Sequence, residues 1–531
     1  MISILWTMCK LLNKTGGLIY ELGRCFYWKT LWRYKDMSLR ESILNEASWG
    51  ETWNGAEAKV TTDSSCLDLF GRGGAMRGAT VDDKEILFSK AFAEDKNIAL
   101  KLLFYIRDVR GGYGERDTFN QMFAHLASIN TESVVKNLWA VLEFGRAKDL
   151  YSLIGTPAED AMWDFMREQF NLDYKNMQEG KSISLLAKWI ATPNSSRSEK
   201  TSQLGKLTAK KIGYDFKNLK EYKKKLVEMR KYLDLPEAKM CAGKWNEIEY
   251  SKCASQFLLK NRNSFVKHDS ERWSEYLESV NNGTSKMNMG TVTPCDIIYR
   301  MRTSYGTELE TMWQQLPDVC SGNALVMCDT SGSMLSDYNS KSDVMPIDVA
   351  FGLALYFAQR NKGDLKDLMM NFSDRPEFIH LNAATLRDNY NIAMKSPVNY
   401  CSTNLEGAFD LLLDTCIKGK VSQEEMPDAI VIVSDMQINC VEGIGRNNNI
   451  TFYDKMNAMY QRAGYKLPQV VFWNVNAMNP TFHASMSTKN VSMVSGYSQN
   501  VFKQVMENIG SNPYELMMAV VESERYKDIV A

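Results

Sequence analysis

Between about residues 83 and 240, apolar positions recur every three to four residues, with Gly, Pro and Asn at the breaks. The clearest stretch is 96–109, where Ile98, Leu102, Leu103, Tyr105 and Ile106 fall on or near one side before Arg110-Gly111-Gly112 stops it. Segments 118–127, 132–144 and 160–170 continue the series. Helices of this length on short turns predict an all-α stack of helical pairs, a HEAT-like solenoid. From about residue 322 the rhythm changes. Near-continuous apolar runs at 324–328, 368–372, 429–433, 470–475 and 491–494 read as strands. Amphipathic or apolar stretches at 346–361, 404–417, 452–463 and 499–509 read as the helices between and after them. Strands apolar on both faces belong to a parallel sheet covered on both sides, so this half is predicted to be α/β and doubly wound.

The chemistry worth weighing sits at the ends of those strands. Asp329-Thr330-Ser331-Gly332-Ser333 directly follows the first run, and aims one carboxylate and two hydroxyls at one region. These are hard oxygen donors, suited to Mg²⁺ or Mn²⁺ rather than zinc. Cys401-Ser402-Thr403-Asn404 precedes a helix, and the run 429–434 ends in Asp435. Open α/β sheets gather ligands at the carboxyl ends of their strands. Taken singly, Asp and Ser at such places are ordinary helix caps and turn formers. Two enzyme readings fail. A phosphorylated Asp-Lys-Thr-Gly-Thr-type loop belongs with membrane spans, and an aspartic protease needs a second like carboxylate in a β-rich fold.

Composition narrows the classes further. The 531 residues are 44% hydrophobic with a net charge of -1, enough for two or three domains and no advertisement for a polyanion. No run of about 18 uninterrupted apolar residues occurs, which argues against a membrane helix. Eleven scattered cysteines without a Cys-x-x-Cys pair, and four histidines, suit a reducing, cytoplasmic setting and no zinc site. Segment 1–36 mixes Trp, Tyr, Lys and Arg without a cleavage site and reads as an N-terminal extension or a mis-assigned start. The expected division is a helical domain over 37–318 and an α/β domain over 319–531.

Charge is uneven along the chain. Segment 181–232 holds fourteen Lys and Arg against four Asp and Glu, a local net of +10, with Tyr214, Phe216, Tyr222 and Tyr232 interleaved. Such a mixture pairs with phosphates and stacks bases, although Lys-rich helices are commonly just solvated faces and their aromatics core. The candidate RNA contacts are Lys188, Arg197, Lys200, Lys206, Lys210, Lys211, Lys217, Lys220, Lys223, Lys224 and Lys225, with Arg110 and Arg116 from the earlier turn. Arg110-Gly111-Gly112 reads equally well as a helix stop. Gly112-Tyr113-Gly114 is not a nucleotide loop, because the third glycine and the preceding strand are missing.

Asp-x-Ser-x-Ser, then Thr, then Asp resembles the metal-ion-dependent adhesion site of von Willebrand factor A domains. Residues 102–117, LLFYIRDVRGGYGERD, resemble the signature of a family that joins a helical domain to such a domain. Further matches are 185–189, 265–272, 434–436, 471–474 and 494–498. The layout is similar to that of the Ro autoantigen, whose TROVE module is a helical-repeat ring beside a von Willebrand A domain in an RNA-binding ribonucleoprotein. The resemblance implies Asp329, Ser331, Ser333, Thr403 and Asp435 around Mg²⁺ or Mn²⁺, in a non-enzymatic monomer. It also implies small structured or single-stranded RNA as partner, and a protein ligand offering an acidic residue to the metal. The other reading is a metal-dependent protein–protein adhesion module without RNA.

Overall fold

The structure, a computed structural model, describes residues 48–194, 198–215, 217–335, 344–395, 402–439 and 450–531. Segment 1–36, Arg197, Phe216 and Cys401 lie outside them. Residues Gly50–Ala531 form one compact unit. The first described element is a hairpin of two short strands, β1 (Trp49–Glu51) and β2 (Glu57–Lys59). Helices then follow one another from Ser65–Gly73 to Glu308–Gln314. The expected helix at 96–109 is Lys96–Arg107, capped by the Asp95 side chain on the Ile98 N–H. The expected helix at 132–144 is two, Thr131–Lys136 and Leu138–Phe144. Between them Asn137 turns its side chain to Ser133 O and to Val530 O, near the other end of the chain.

The C-terminal part carries a sheet of six strands: β3 (Ala324–Asp329), β4 (Leu368–Phe372), β5 (Glu377–His380), β6 (Ala429–Ser434), β7 (Gln469–Asn474) and β8 (Val491–Ser495). Their order is β5-β4-β3-β6-β7-β8. All neighbours are parallel except β4 and β5, so the sheet is mixed rather than wholly parallel. Every residue of β3, β6, β7 and β8 is buried, as two-sided covering demands. Helix Pro346–Arg360 packs on β3, β4 and β6, while Ser65–Gly73 and Pro513–Val521 pack on β8. A helix from near the start of the unit therefore covers the last strand of the sheet. Among the described residues no helix is long and apolar enough to cross a membrane.

Segment 102–117 is where the helical and α/β parts interlock. The Tyr105 hydroxyl donates to Gln504 Oε1 at 2.7 Å, and the Tyr113 hydroxyl to Phe70 O at 2.7 Å. Buried Asp108 accepts from Arg525 Nη2 at 2.7 Å and from the Tyr526 hydroxyl at 2.9 Å. A Cβ on Gly112 would fall 2.0 Å from Tyr105 O, so only glycine lets the chain double back there. Glu115 takes Arg77, and Asp149 takes both Arg107 and Arg116. Of the segment's charges, Asp108 serves the junction between the two parts, while Arg107, Glu115 and Arg116 are paired within the helical part.

Candidate cation-binding site

β3 and β6 are neighbours in the sheet, and the chain leaves β3 toward β4 and β5 before returning to β6 on the other side. The carboxyl ends of such a pair mark a topological switch point, where a crevice opens. Asp329 ends β3, and Asp435 follows the last residue of β6. The turn after Asp329 is held by its own carboxylate, which accepts from the Ser331 N–H at 2.8 Å. Its other oxygen accepts from the Ser434 hydroxyl at 2.5 Å. The Ser331 and Ser333 hydroxyls lie 3.1 Å apart. Asp435 accepts from the Gln437 N–H at 3.1 Å. Met436, between them, is held at φ 63, a left-handed conformation unusual outside glycine. Thr403 is buried against the same loop: its N–H donates to Asn439 Oδ1 at 3.1 Å, and its carbonyl accepts from the Asn439 N–H at 3.2 Å.

Asp329, Ser331, Thr403 and Asp435 are all buried, and Ser333 is half-buried. Burial pushes the Asp329 carboxyl up, and the neighbouring charge of Asp435 pushes it further. Burial likewise raises Asp435, against the Ser333 hydroxyl and the Gln437 N–H. Among the described residues no Lys, Arg or His forms an ion pair with either buried carboxylate, and keeping both ionised away from water without a counter-charge is costly. Hydroxyls and carboxylates are hard donors, and the set fits a small divalent cation such as Mg²⁺ or Mn²⁺. Among the described residues no group of three or more His, Cys, Asp or Glu is placed to hold a metal ion.

Beneath the Met436 turn lies His483, fully buried, its Nε2–H donating to Met436 O at 3.1 Å. Burial pulls its pKa down to about 4, with Lys455 adding to the effect and the Met436 carbonyl opposing it. A group neutral when folded and protonated near 6.5 when unfolded stabilises fully above pH 6.5 and loses that contribution as pH falls toward 4. At about 1.4 kcal/mol per unit, the loss between pH 6.5 and 4 comes to about 3 kcal/mol. Replacing His483 with Gln should flatten the acid limb of a urea-midpoint-versus-pH curve; an unchanged slope would show that His483 is not its source.

The basic stretch divides in the structure. On helices Glu199–Lys211 and Leu219–Tyr232 and the turn between them, Lys200, Lys206, Lys210, Lys217, Lys220 and Lys224 are exposed and Lys223 is half-buried. Among the described residues, only Lys224 of these has an ion pair, a loose one with Glu228 at 3.9 Å. Lys188 pairs with Glu237, Lys211 with Asp160, and Lys225 with Glu221 and the Tyr214 hydroxyl. Arg116 is committed to Asp149, and Arg110 is exposed at the turn. Tyr214 and Tyr222 pack on Phe170 as core, so neither is a stacking platform.

One contributor escaped the sequence reading. The β1–β2 turn, Thr52 to Gly55, lies against the loop after Asp435: the Thr52 hydroxyl donates to Ile438 O and the Trp53 N–H to Gln437 Oε1. Asn54 Nδ2 donates to Gln437 O and to Thr403 Oγ1. The Asn54-Gly55 pair is a hairpin-turn signal and could have placed the turn, though not its partner.

Residues 52–181 and 164–324, together just over half of the chain, match the family described as Domain of unknown function (DUF2828). Residues 323–528 match Domain of unknown function (DUF7788). Uncharacterized protein L728 of Acanthamoeba polyphaga mimivirus is 26% identical over 515 residues, which is 89% of this chain and 87% of that protein. The crystal structure of Deinococcus radiodurans RO (RSR) protein is similar with a TM-score of 0.44 and 14% identity, over 87% of this chain and 99% of that one. A likeness so loose carries no argument about function.

Proposed function

This chain belongs to the DUF2828 family, and we propose that it is a non-enzymatic binding protein whose α/β part is a von Willebrand A-type domain. Asp329, Ser331, Ser333, Thr403 and Asp435 would hold Mg²⁺ or Mn²⁺. The observation that carries this reading is the pair of buried carboxylates, Asp329 and Asp435, without a cationic partner among the described residues at the sheet's switch point. The cation, when bound, would offer an open position to a carboxylate of a protein partner. The protein's own groups set the geometry: the Ser434 hydroxyl and the Ser331 N–H fix Asp329, and the Gln437 N–H fixes Asp435. A fluorescent Glu-rich peptide should bind the full chain in Mg²⁺ and be released by chelator. Binding indifferent to chelator would contradict the reading.

A second reading, RNA binding by the helical part, is favoured by the run of exposed lysines on helices Glu199–Lys211 and Leu219–Tyr232. A cavity of about 410 Å³ in the same part, lined by Trp139, Arg146 and Trp189, adds groups able to stack on a base. The Arg146 guanidinium already lies over the Trp189 ring, 4.8 Å from its centroid. Replacing Lys220, Lys223 and Lys224 with Ala should weaken binding of a single-stranded oligoribonucleotide whatever its sequence. The slope of log affinity against log salt should fall by roughly 0.7 for each phosphate contact removed. Wild-type affinity and slope in that variant would return these lysines to the solvated surface.

A further inference from the structure

The hydroxyls and carboxylates of the site come from the C-terminal part of the chain, yet the Thr403 hydroxyl is met by a side chain from near the start of the compact unit. Asn54 Nδ2 lies 3.3 Å from Thr403 Oγ1 and hydrogen-bonds Gln437 O with its other N–H. The turn that carries Asn54 is itself fixed. Gly55, at φ 80, pairs with Asn439 as a bridge, and its N–H donates to Thr52 O at 3.0 Å. The Thr52 hydroxyl accepts from the Ala56 N–H at 2.9 Å and donates to Ile438 O at 2.6 Å. The Trp53 N–H donates to Gln437 Oε1 at 2.7 Å, and Gln437 is the residue whose own N–H orients Asp435. Two of the five donors, Thr403 and Asp435, are therefore held by one short turn of the N-terminal hairpin.

We propose that Asn54 is a positioning residue of the cation site, acting through Thr403, so that the β1–β2 hairpin completes a centre otherwise built on the α/β part. A threonine hydroxyl has two lone pairs and one hydrogen. Asn54 takes one lone pair and sets the rotamer, which leaves the other free for a cation. Without it the Thr403 side chain turns freely and its donor is lost for part of the time. Partners that orient metal donors from behind are commonly worth tenfold to a hundredfold in affinity. The inference rests on the cation reading above, and the experiment separates the two.

Mn²⁺ is titrated into the full chain carrying N54A, T403A, both together, W53A or D329A, with unbound Mn²⁺ read by electron paramagnetic resonance. N54A should weaken binding about tenfold, and T403A at least as much. The double variant should be no weaker than T403A alone, because Asn54 acts through that hydroxyl. W53A should bind as the wild type does, since the Trp53 contact to Gln437 is made by its backbone N–H, and the ring is 85% exposed. Wild-type affinity in N54A, or an equal loss on adding N54A to T403A, overturns the positioning role. If that happens while D329A abolishes binding, the cation site stands without the hairpin. If the wild type binds no Mn²⁺, both fall.

Discussion

Asp329→Ala is expected to abolish the proposed divalent-cation binding while the protein stays folded. Asp329 is fully buried, ends β3 and is oriented at both oxygens, by the Ser331 N–H and the Ser434 hydroxyl. Removing it leaves one carboxylate and three hydroxyls, a donor set too weakly charged to strip water from Mg²⁺. The expected loss of affinity is more than about a hundredfold, beyond the range for orienting partners. The fold should survive because the change also removes a buried charge that Asp435 opposes. Isothermal titration with Mg²⁺ reads the first expectation and near-UV circular dichroism the second. Retained Mg²⁺ binding in a folded Asp329→Ala protein would show that the site is elsewhere.

Asp149→Ala carries the largest expected cost in stability. Arg107 Nε and Nη2 donate to Asp149 Oδ2 at 2.8 and 2.7 Å, Arg116 Nε to Oδ1 at 2.6 Å, and the Arg146 N–H to Oδ2 at 3.0 Å. The Arg107 and Asp149 side chains are both almost wholly buried. Burial pushes the Asp149 carboxyl up, but Arg107 and Arg116 outweigh it and hold the group below its ordinary value. Deleting the carboxylate leaves the Arg107 guanidinium inside without a counter-charge, which costs about 3–5 kcal/mol. Replacing Arg107 with Met and Asp149 with Leu together should recover much of this, since no unpaired charge remains. Urea unfolding of the three proteins checks both statements. A change under about 1 kcal/mol for Asp149→Ala would mean that water reaches Arg107.

The buried strands were the legible part of the fold, because a covered parallel strand leaves little room for polar residues. The reading at 368–372 coincides with β4, and those at 324–328 and 429–433 fall one residue short of β3 and β6. Short elements with mixed exposure were not legible. β5 is four residues with alternating burial, and β1 and β2 are three each, too few for a period to emerge. Long-range pairing was hidden altogether. Arg116 read as a surface cation because nothing local says that Asp149, 33 residues away, will take it. Tyr214 and Tyr222 stayed open between stacking groups and core because their burial depends on Phe170 in another helix. The candidate site follows the same division. Four of its five residues lie at or just after the ends of β3 and β6 and Thr403 precedes a helix, so they could be picked out one by one, whereas Asn54 and the loop it clamps become neighbours only in the folded chain.

The measurement that bears most directly on the central claim is a Mn²⁺ titration of the unmodified full chain, followed by loss of the free-ion resonance signal and then by competition with Mg²⁺. One Mn²⁺ bound per chain and displaced by Mg²⁺ is the predicted result. A chain that leaves the free-ion signal undiminished at millimolar Mn²⁺ would contradict the claim that Asp329 and Asp435 are held together for a cation.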